Sequence, residues 1–451
     1  ISPLGVRGNF ISPLGVRGNF ISPLGVRGYF SSPLGVRGYF SSPLGVRGNF
    51  ISPLEDRGQD LFHQLHDELT HNILPFWMEK MTDDQKGGFY GQMTGKDILV
   101  NDAPKGGILN ARILWTFSSA ALHLKNPLYL EYATRAKEYI FSYFFDPENG
   151  GTYWMLNAEG TPADTKKQIY SQAFFIYALV EYYRATAEKD CLDKAIELFQ
   201  LIEKHSFDDE LNGYFEAYSC DWVLLEDLRL SDKDANEKKT MNTHLHILEA
   251  YTNLYRVWKD DILKNKLQNL IEIFLTRIIN PKTHHLDLFF DENWLCKSTL
   301  YSYGHDIESV WLLNEAAEVL DNQELLKKVR ETVILVARAA EEGVQPNGGI
   351  INEKNYQTGH VDGNFDWWPQ AEAMIGFYNV YQLTSDQSFA QKTLNTWEFI
   401  KSNIIDKENG EWHWSVSSDG KIDTKNDKAG FWKCPYHNSR MCLELMERVA
   451  R

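Results

Sequence analysis

The chain has 451 residues, of which 43% are hydrophobic and 13% aromatic, and its formal net charge is -16 at pH 7. This composition suffices for one large or two ordinary globular domains with a packed core. The negative charge argues against a nucleic-acid partner and an anionic membrane surface, because either would require a basic face to neutralise phosphates. Small neutral or cationic ligands remain compatible with it.

The cysteines and the hydropathy pattern indicate the cellular compartment in which the protein is found. Five cysteines lack the close pairing of a zinc ribbon, and their odd number predicts reduced thiols in a cytoplasmic protein. No apolar run reaches the length of a membrane span, and no charged segment followed by an apolar stretch predicts secretion. We therefore expect neither a membrane nor a nucleic acid among the partners.

Residues 1–54 are a tandem decapeptide, Ile-Ser-Pro-Leu-Gly-Val-Arg-Gly-Asn-Phe, repeated with changes at its first, ninth and tenth positions. One proline and two glycines per unit are incompatible with a helix, and the apolar residues are too few to build a core. We expect a disordered tail, with residues 55–451 forming the folded domain. Since no methionine precedes Met78, we interpret the repeats as translated sequence upstream of the true start. A basic adhesive arm with one arginine per unit is the alternative.

Glycine turns recur along the rest of the chain at intervals of roughly 60 to 70 residues, the length of a helix pair with its connections. They lie at Gly87 and Gly88, Gly150 and Gly151, Gly213, Gly348 and Gly349, and Gly410, with a degenerate copy within residues 280–293. Four of the turns lead directly into aromatic residues. This pattern predicts short extended segments at one end of the fold.

An amphipathic helix is predicted before each turn, and a helix that is apolar on several sides after it. The amphipathic helices span approximately residues 60–80, 129–145, 191–205, 262–279, 323–342 and 386–404, and the apolar helices begin near Asn110, Tyr170, Asn242, Gly304, Trp368 and His437. Exposed and buried helices that alternate six times predict an all-α (α/α)6 barrel of six inner and six outer helices. The inner helices then run parallel, and their N-termini meet at one end.

Polar side chains occupy the predicted N-termini of the inner helices. His305 and Glu308 are three residues apart and share a helix face. An imidazole at a helix N-terminus stays uncharged and basic near neutral pH, so this pair is a candidate general base with an acidic neighbour. For a single histidine, a polar cap on a core helix is the simpler interpretation. His246 and His437 begin two other inner helices, however, and together the three predict a pocket.

A metal site is the alternative for His244 and His246. Residues two apart on a helix point about 200° apart, so these two cannot face one ion. Asn242 and His246 are four apart and do share a face, which places His246 in the pocket and His244 behind it.

The composition of the pocket favours a carbohydrate. Trp368, Trp432 and Tyr170 suit the apolar faces of pyranose rings, while Arg112 and Asn242 can donate to sugar oxygens. Opening of a sugar ring exposes an aldehyde, and the C2 hydrogen beside it can be removed by a base of near-neutral pKa if the oxyanion is stabilised. Inversion at C2 needs a second acid on the opposite face, which explains a need for two histidines.

Four stretches, residues 242–250, 304–309, 367–372 and 430–444, resemble the cellobiose 2-epimerase family of the N-acylglucosamine 2-epimerase superfamily of (α/α)6 barrels. The last, Gly-Phe-Trp-Lys-Cys-Pro-Tyr-His-Asn-Ser-Arg-Met-Cys-Leu-Glu, is the most specific, since the N-acylglucosamine epimerases and aldose-ketose isomerases of the superfamily depart from it there. The resemblance covers essentially the whole chain after the repeats. It implies cofactor-independent epimerisation at C2 of the reducing-end glucose of β-1,4-linked disaccharides, cellobiose and lactose among them.

The resemblance also implies residue roles. His305 and His437 would be the paired acid/base residues, His246 would assist ring opening, and Arg112 would hold the carbonyl end. The remaining contacts would be Tyr170, Asn242, Glu308 and Trp368 around the reacting sugar, with Trp432, Ser231 and Asp234 at the second sugar. We expect a small-molecule disaccharide as substrate, no metal or other cofactor, and a monomer.

Other activities remain open on the sequence. Aldose-ketose isomerisation uses the same enediolate but returns the proton to C1, and an N-acylglucosamine or mannose epimerase would share the fold. An inverting glycosidase would use two carboxylates, such as Glu308 and Glu372, with a water between them, which leaves the histidines unexplained. A non-catalytic sugar-binding module would have no need of His305 and His437.

Overall fold

The computed structural model describes residues 53–450 and five short strands within the decapeptide repeat. The strands are β1 (Arg7–Ile11), β2 (Arg17–Phe20), β3 (Arg27–Ser31), β4 (Arg37–Ser41) and β5 (Arg47–Phe50). They pair in the order β2-β1-β4-β3-β5. Apart from them, the segment predicted to be a disordered tail lies outside the described residues.

Inner and outer helices alternate through residues 53–450 and form the predicted (α/α)6 barrel. The inner helices are α3 (Gly107–Leu124), α5 (Ile169–Thr186), α7 (Met241–Val257), α9 (Tyr303–Leu320), α11 (Trp367–Thr384) and α13 (Tyr436–Ala450). The outer ring consists of α1 (Pro53–Glu68) with α2 (Leu74–Glu79), α4 (Pro127–Tyr139), α6 (Lys189–His205), α8 (Asp261–Ile273), α10 (Gln323–Ala340) and α12 (Gln387–Phe399). Each inner helix begins within one turn of its predicted start.

Turns of π-helix extend several outer helices toward the glycine turns. One joins α1 to α2, and others follow α4, α8 and α12; they span Leu69–Ile73, Ile140–Phe144, Phe274–Ile278 and Ile400–Ile404. A 3₁₀ turn, Glu341–Gly343, follows α10 in the same way. The predicted ends of the outer helices therefore include these irregular turns.

The burial of the helices follows their sequence patterns. Outer helix α10 buries Leu326, Val329, Val333 and Ala337, which recur at three- and four-residue intervals along one stripe. Inner helix α9 instead buries residues on all sides, because it packs against α7 and α11 as well as α8 and α10. The ring closes where α13 packs between α11 and α3 and against α1. A side-chain carbon at Gly58 of α1 would lie 3.3 Å from Cγ1 of Val449, so α1 begins beside the end of α13.

Short strands line the end of the barrel where the inner helices begin, as predicted. A strand directly precedes each of the first five inner helices and pairs antiparallel with a strand that follows the next outer helix. The pairs are β6 (Lys105–Gly106) with β7 (Met155–Leu156), β9 (Lys167–Gln168) with β10 (Ala217–Tyr218), β11 (Lys239–Thr240) with β12 (Phe289–Phe290), β13 (Leu300–Ser302) with β14 (Glu353–Asn355), and β15 (Phe365–Asp366) with β16 (Ser415–Val416), while β8 (Pro162–Asp164) adds to β7.

Buried ion pairs fasten four of the glycine turns to the segment that leads into an inner helix. In the first, Asp83 accepts from the backbone N–H groups of Gln85 and Lys86 and from the ammonium of Lys105 at 2.8 Å. The corresponding pairs are Lys167 with Asp146, Lys239 with Asp208, and Lys428 with Asp406. The aspartate four or five residues before each of these four turns is the sequence signal of the pairs, although it did not reveal the lysine partner.

The structure also describes the cysteines and the lengths of the helices. The five cysteines are free thiols, and Cys191, Cys434 and Cys442 are buried. Within the part of the chain that the structure describes, no helix combines the length and apolarity needed to cross a membrane.

Replacing Lys105 by Met should lower the free energy of unfolding by about 3–5 kcal/mol, because Asp83 would remain buried without its counter-charge. Chemical denaturation at neutral pH measures this change. Lys327→Ala is the control: its pair with Glu331 is exposed and 4.0 Å long, and its loss should change stability by less than about 1 kcal/mol. Equal effects of the two substitutions would contradict the role assigned to the buried pairs.

Removal of residues 1–54 should leave folding and turnover nearly unchanged. Among the side chains of α1 that the structure describes, the first buried one is Leu61, which remains in the shortened chain. Melting temperature and specific activity of the full and shortened proteins make the comparison. A large loss of activity on truncation would show that the repeats belong to the enzyme.

Candidate active site

A cavity of about 440 Å³ lies at the end of the barrel where the inner helices begin. All eleven predicted site residues line it: Arg112, Tyr170, Ser231, Asp234, Asn242, His246, His305, Glu308, Trp368, Trp432 and His437. Each inner helix contributes through its first turns, whereas Ser231 and Asp234 come from the loop between β10 and β11. The structure therefore brings together every residue that the sequence placed in the site.

Two of the three histidines in the cavity are held by carboxylates. Nδ1 of His246 lies 2.8 Å from Oε2 of Glu249, and Nδ1 of His437 lies 2.7 Å from Oε1 of Glu372. A carboxylate accepts a hydrogen bond, so Nδ1 carries the hydrogen in both rings. Nε2 is then the nitrogen that can exchange a proton with a ligand in the cavity.

His305 is held by a hydroxyl group instead. Its Nδ1 lies 2.7 Å from Oγ of Ser302, whose single hydrogen is donated to Oδ1 of Asn352 at 3.3 Å. Ser302 must therefore accept from Nδ1, and Nε2 of His305 keeps a free lone pair. Burial lowers the pKa of His305 to about 3, and the nearby His246 and His437 act in the same direction. The ring is thus a neutral base at physiological pH.

A fully buried arginine connects the carboxylates beneath the cavity. Nη2 of Arg440 donates to Oε1 of Glu308 at 2.8 Å and to Oε1 of Glu372 at 2.7 Å, and Nη1 donates to Glu249. Burial opposes ionisation of Glu372, but the charge of Arg440 and the bond from His437 outweigh it and lower the pKa of Glu372 to about 2. Glu372 therefore stays ionised and can stabilise a cationic His437.

Glu308 has the opposite protonation behaviour. Burial and the neighbouring charge of Glu372 raise the pKa of Glu308 to about 8, although Arg440 opposes the shift. Its Oε2 is buried and has no hydrogen-bond partner among the described residues. Glu308 can therefore donate a hydrogen bond to an oxygen of a bound ligand at neutral pH.

A cation bound among Glu308, Glu372 and His437 would have to displace the guanidinium of Arg440. Ligand atoms of Glu308, Glu372 and His437 lie within 4.8 Å of one another. Both carboxylates already accept from Arg440, whose guanidinium supplies the positive charge between them. His244, the other histidine considered for a metal, lies outside the cavity, where Nδ1 contacts the carbonyl of Thr240 at 2.6 Å and Nε2 accepts from the backbone of Tyr214.

Arg112 is positioned by aromatic rings. Its Nη2 donates to the hydroxyl of Tyr170 at 2.8 Å, and its guanidinium lies 4.2 Å from the ring centroid of Phe174 and 4.8 Å from that of Tyr436. Nε of Arg112 and Oδ1 of Asn242 are buried without a partner among the described residues. These two atoms complement the acceptor and donor groups of a polyhydroxylated ligand.

The tryptophan Trp368 contacts both histidines of the predicted acid/base pair. Its ring centroid lies 4.7 Å from that of His305 and 5.7 Å from that of His437. On another side of the cavity, Trp432 lies 6.2 Å from Tyr170. The cavity thus offers one aromatic face beside the histidines and a second one apart from them.

Several important residues were not predicted. Glu249 and Ser302 orient two of the histidines, and each lies three residues from its histidine, Glu249 on the same helix face and Ser302 as the N-cap of α9. These spacings could have identified them. Asp366 lines the cavity as well, and burial raises its pKa to about 7, with the charges of Asp362 and Glu353 adding to the shift. Its only signal in the sequence is its position before Trp367 and Trp368.

The fold is an (α/α)6 barrel whose cavity collects imidazoles, carboxylates and aromatic rings where the inner helices begin. The family model described as N-acylglucosamine 2-epimerase (GlcNAc 2-epimerase) matches residues 87–440. The chain belongs to the N-acylglucosamine 2-epimerase family, and it is an epimerase.

Individual relatives match over nearly their full lengths. The cellobiose 2-epimerase of Bacteroides fragilis is 53% identical over 386 residues, which cover 86% of this chain and 98% of that protein. The cellobiose 2-epimerase of Dictyoglomus turgidum is 39% identical over 388 residues, with coverages of 86% and 98%. The solved structure of cellobiose 2-epimerase from Bacillus thermoamylovorans B4167 has a TM-score of 0.83 at 42% identity and covers 86% of this chain and 100% of that one.

His305→Asn should reduce the pH dependence of stability on the acid side. The folded protein keeps His305 neutral down to about pH 3, whereas an unfolded chain protonates it below its ordinary pKa of 6.5. Stability contributed by this residue is therefore complete above pH 6.5 and falls between pH 6.5 and 3, by about 1.4 kcal/mol per pH unit. The variant should lose that slope in denaturation curves, while His71→Asn, at an exposed position, should retain it. An unchanged slope in the His305 variant would contradict an imidazole that stays neutral in the folded protein.

Proposed function

We propose that this protein epimerises C2 of the reducing-end glucose of β-1,4-linked disaccharides, converting cellobiose to glucosylmannose and lactose to epilactose, without a metal or other cofactor. The observation that carries the proposal is the placement of His305 and His437 on different inner helices, both in ring contact with Trp368. Two imidazoles around one aromatic surface suit removal and return of a proton on opposite faces of a planar intermediate. The disaccharide specificity is supported by the relatives named cellobiose 2-epimerase.

The first step in the proposed cycle opens the reducing-end ring. Nε2 of His246 takes the proton of the C1 hydroxyl, the bond from C1 to the ring oxygen breaks, and a proton is returned to that oxygen. Glu249 stabilises the transient imidazolium through its bond to Nδ1. The product is the open-chain aldehyde, with its carbonyl oxygen near Arg112.

Proton transfer at C2 then uses His305 and His437, whose Nδ1 atoms have different partners: a hydroxyl group for His305 and a carboxylate for His437. Neutral His305 removes the C2 proton, and the electron pair of the C–H bond becomes part of an enediolate whose oxygen is stabilised by Arg112 and by the protonated Glu308. His437 must be protonated for this step; burial lowers its pKa to about 3, and the hydrogen bond and charge of Glu372 oppose that shift. It then donates its proton to the opposite face of C2. The reverse reaction exchanges the two roles, and proton exchange with water restores the starting state.

The second sugar is assigned to the other aromatic side of the cavity. Trp432 would stack on that ring, and Ser231 and Asp234 would hydrogen-bond its hydroxyl groups. These two are already coupled, since Oδ2 of Asp234 accepts from both the backbone N–H and the hydroxyl of Ser231 at 2.9 Å. The loop would therefore present a fixed pair of polar groups to the substrate.

The geometry does not suit an inverting glycosidase. That reaction needs a water between two carboxylates. In this cavity, Glu308 and Glu372 both accept from one nitrogen of Arg440, so the guanidinium occupies the place between them.

Product formed in heavy water should carry deuterium at C2, because the donating histidine exchanges with solvent between turnovers. His305→Asn and His437→Asn should each block net epimerisation, since each direction needs a base and an acid. One variant should still exchange the C2 hydrogen of a single epimer without inverting it, which NMR of the recovered sugar would detect. Full epimerisation by either variant would exclude this pair, and a ketose product would indicate isomerisation instead.

Trp432→Ala should raise KM for cellobiose about tenfold, which corresponds to about 1.4 kcal/mol of lost stacking, and leave kcat within about threefold. Glucose lacks the second ring, so kcat/KM for glucose should be nearly unchanged and provides the matched control. Steady-state kinetics with both sugars measure the separate effects on KM and kcat. If kcat collapsed as completely as in His437→Asn, the assignment of Trp432 to the second sugar would be wrong.

A further inference from the structure

A second cavity lies at the opposite end of the barrel, where the inner helices end. Its volume is about 560 Å³, compared with about 440 Å³ for the catalytic cavity. It is lined by residues of all six inner helices, among them Trp115, Tyr177, Glu249, Asn314, Asn379 and Arg448. Neither the sequence nor the proposed reaction assigns a role to this cavity.

The charged side chains that line the second cavity form ion pairs or contact a histidine. Arg184 pairs with Glu181, Arg256 with Glu315, Arg330 with Glu318, and Arg448 with Glu444. Of the other acidic residues, Glu249 is bound to Arg440, and Glu447 lies 3.5 Å from Nε2 of His123. A charged ligand would have to break one of these pairs, so the lining favours a neutral molecule.

Two buried hydrogen-bond donors in the lining have no acceptor among the described residues. They are Nε1 of Trp115, which is 4% exposed, and Nδ2 of Asn379, which is 2% exposed. The amide of Asn379 is fixed, because its Oδ1 accepts from Asn314 at 3.3 Å and from Arg448 at 3.1 Å. The indole of Trp115 is fixed by stacking on Tyr177, with centroids 5.3 Å apart.

Each unmatched donor is a free-energy deficit that a ligand can remove. A buried N–H group without an acceptor costs about 1–3 kcal/mol. A hydroxyl group accepts from such a donor and can also donate to a neighbouring carboxylate. The volume of about 560 Å³ falls within the range of roughly 300–1,000 Å³ that is typical of small-molecule sites.

We propose that the second cavity is a binding site for a neutral polyhydroxylated molecule, a sugar or a sugar alcohol. Its oxygen atoms accept from Trp115 and Asn379, and its hydroxyl hydrogens are donated to the carboxylates of the lining. The site is separate from the catalytic cavity, so the proposal does not depend on the assigned reaction. Glu249 connects the two cavities, since it lines one and holds His246 in the other.

The test uses the full-length protein labelled with 5-fluorotryptophan and observed by fluorine NMR. Trp115→Phe identifies the Trp115 signal by its disappearance. The probes are sorbitol, methyl β-glucopyranoside, which cannot open its ring, and citrate as an anion of similar polarity. We expect a saturable shift of the Trp115 signal with at least one neutral probe and none with citrate. The Trp368 and Trp432 signals report separately on the catalytic cavity.

A substitution at Asn379 tests the contact itself. Asn379→Asp removes the Nδ2 donor but keeps the acceptor for Asn314 and Arg448, and it should weaken binding of the neutral probe at least about fivefold. Asn269→Asp, whose amide bonds Asn212 outside the cavity, should leave binding unchanged. No saturable shift with either neutral probe, binding of citrate alone, or equal binding by Asn379→Asp would each overturn the proposal.

Discussion

The bonds from Arg440 to three carboxylates hold the centre of this protein together. They join α13 to Glu249 on α7, Glu308 on α9 and Glu372 on α11, so a single guanidinium connects four inner helices. An arginine suits this place better than a lysine, because its planar fork presents several N–H donors in fixed directions. Buried carboxylates without this partner would repel one another and separate the helices.

The histidines of the cavity depend on that network to different degrees. His246 and His437 are oriented by Glu249 and Glu372, which are themselves fixed by Arg440. His305 is held by Ser302 and lies outside the chain of ion pairs. His437 has an anionic neighbour at Nδ1 and His305 does not, while burial lowers the pKa of both rings to about 3. The two rings therefore differ in the partner that orients them and not in their tendency to be neutral at physiological pH.

The sequence predicted the architecture because the repeat of helix, glycine turn and helix is local and recurs along the chain. It also predicted most of the cavity residues, since they lie near the starts of the inner helices and the parallel ring brings those starts together. Ser231 and Asp234, which lie on a loop, were predicted only from the family resemblance. Partners across the barrel were harder to predict. The three-residue spacing from Glu249 and from Ser302 to a histidine can be read from the sequence. The convergence of Glu249, Glu308 and Glu372 on Arg440 depends instead on how the helices rotate against one another. The second cavity was not predicted for the same reason.

The closure of the ring by α1 and α13 also determines how the enzyme can be attached to other materials. α1 begins beside the end of α13, so both ends of the barrel domain emerge on the side remote from the catalytic mouth. A support or fusion partner linked to either end would face away from the entrance for sugars. Immobilisation through the termini should therefore preserve diffusion of ligands into the cavity, whereas random coupling through surface lysines would leave the entrance blocked in a fraction of the molecules.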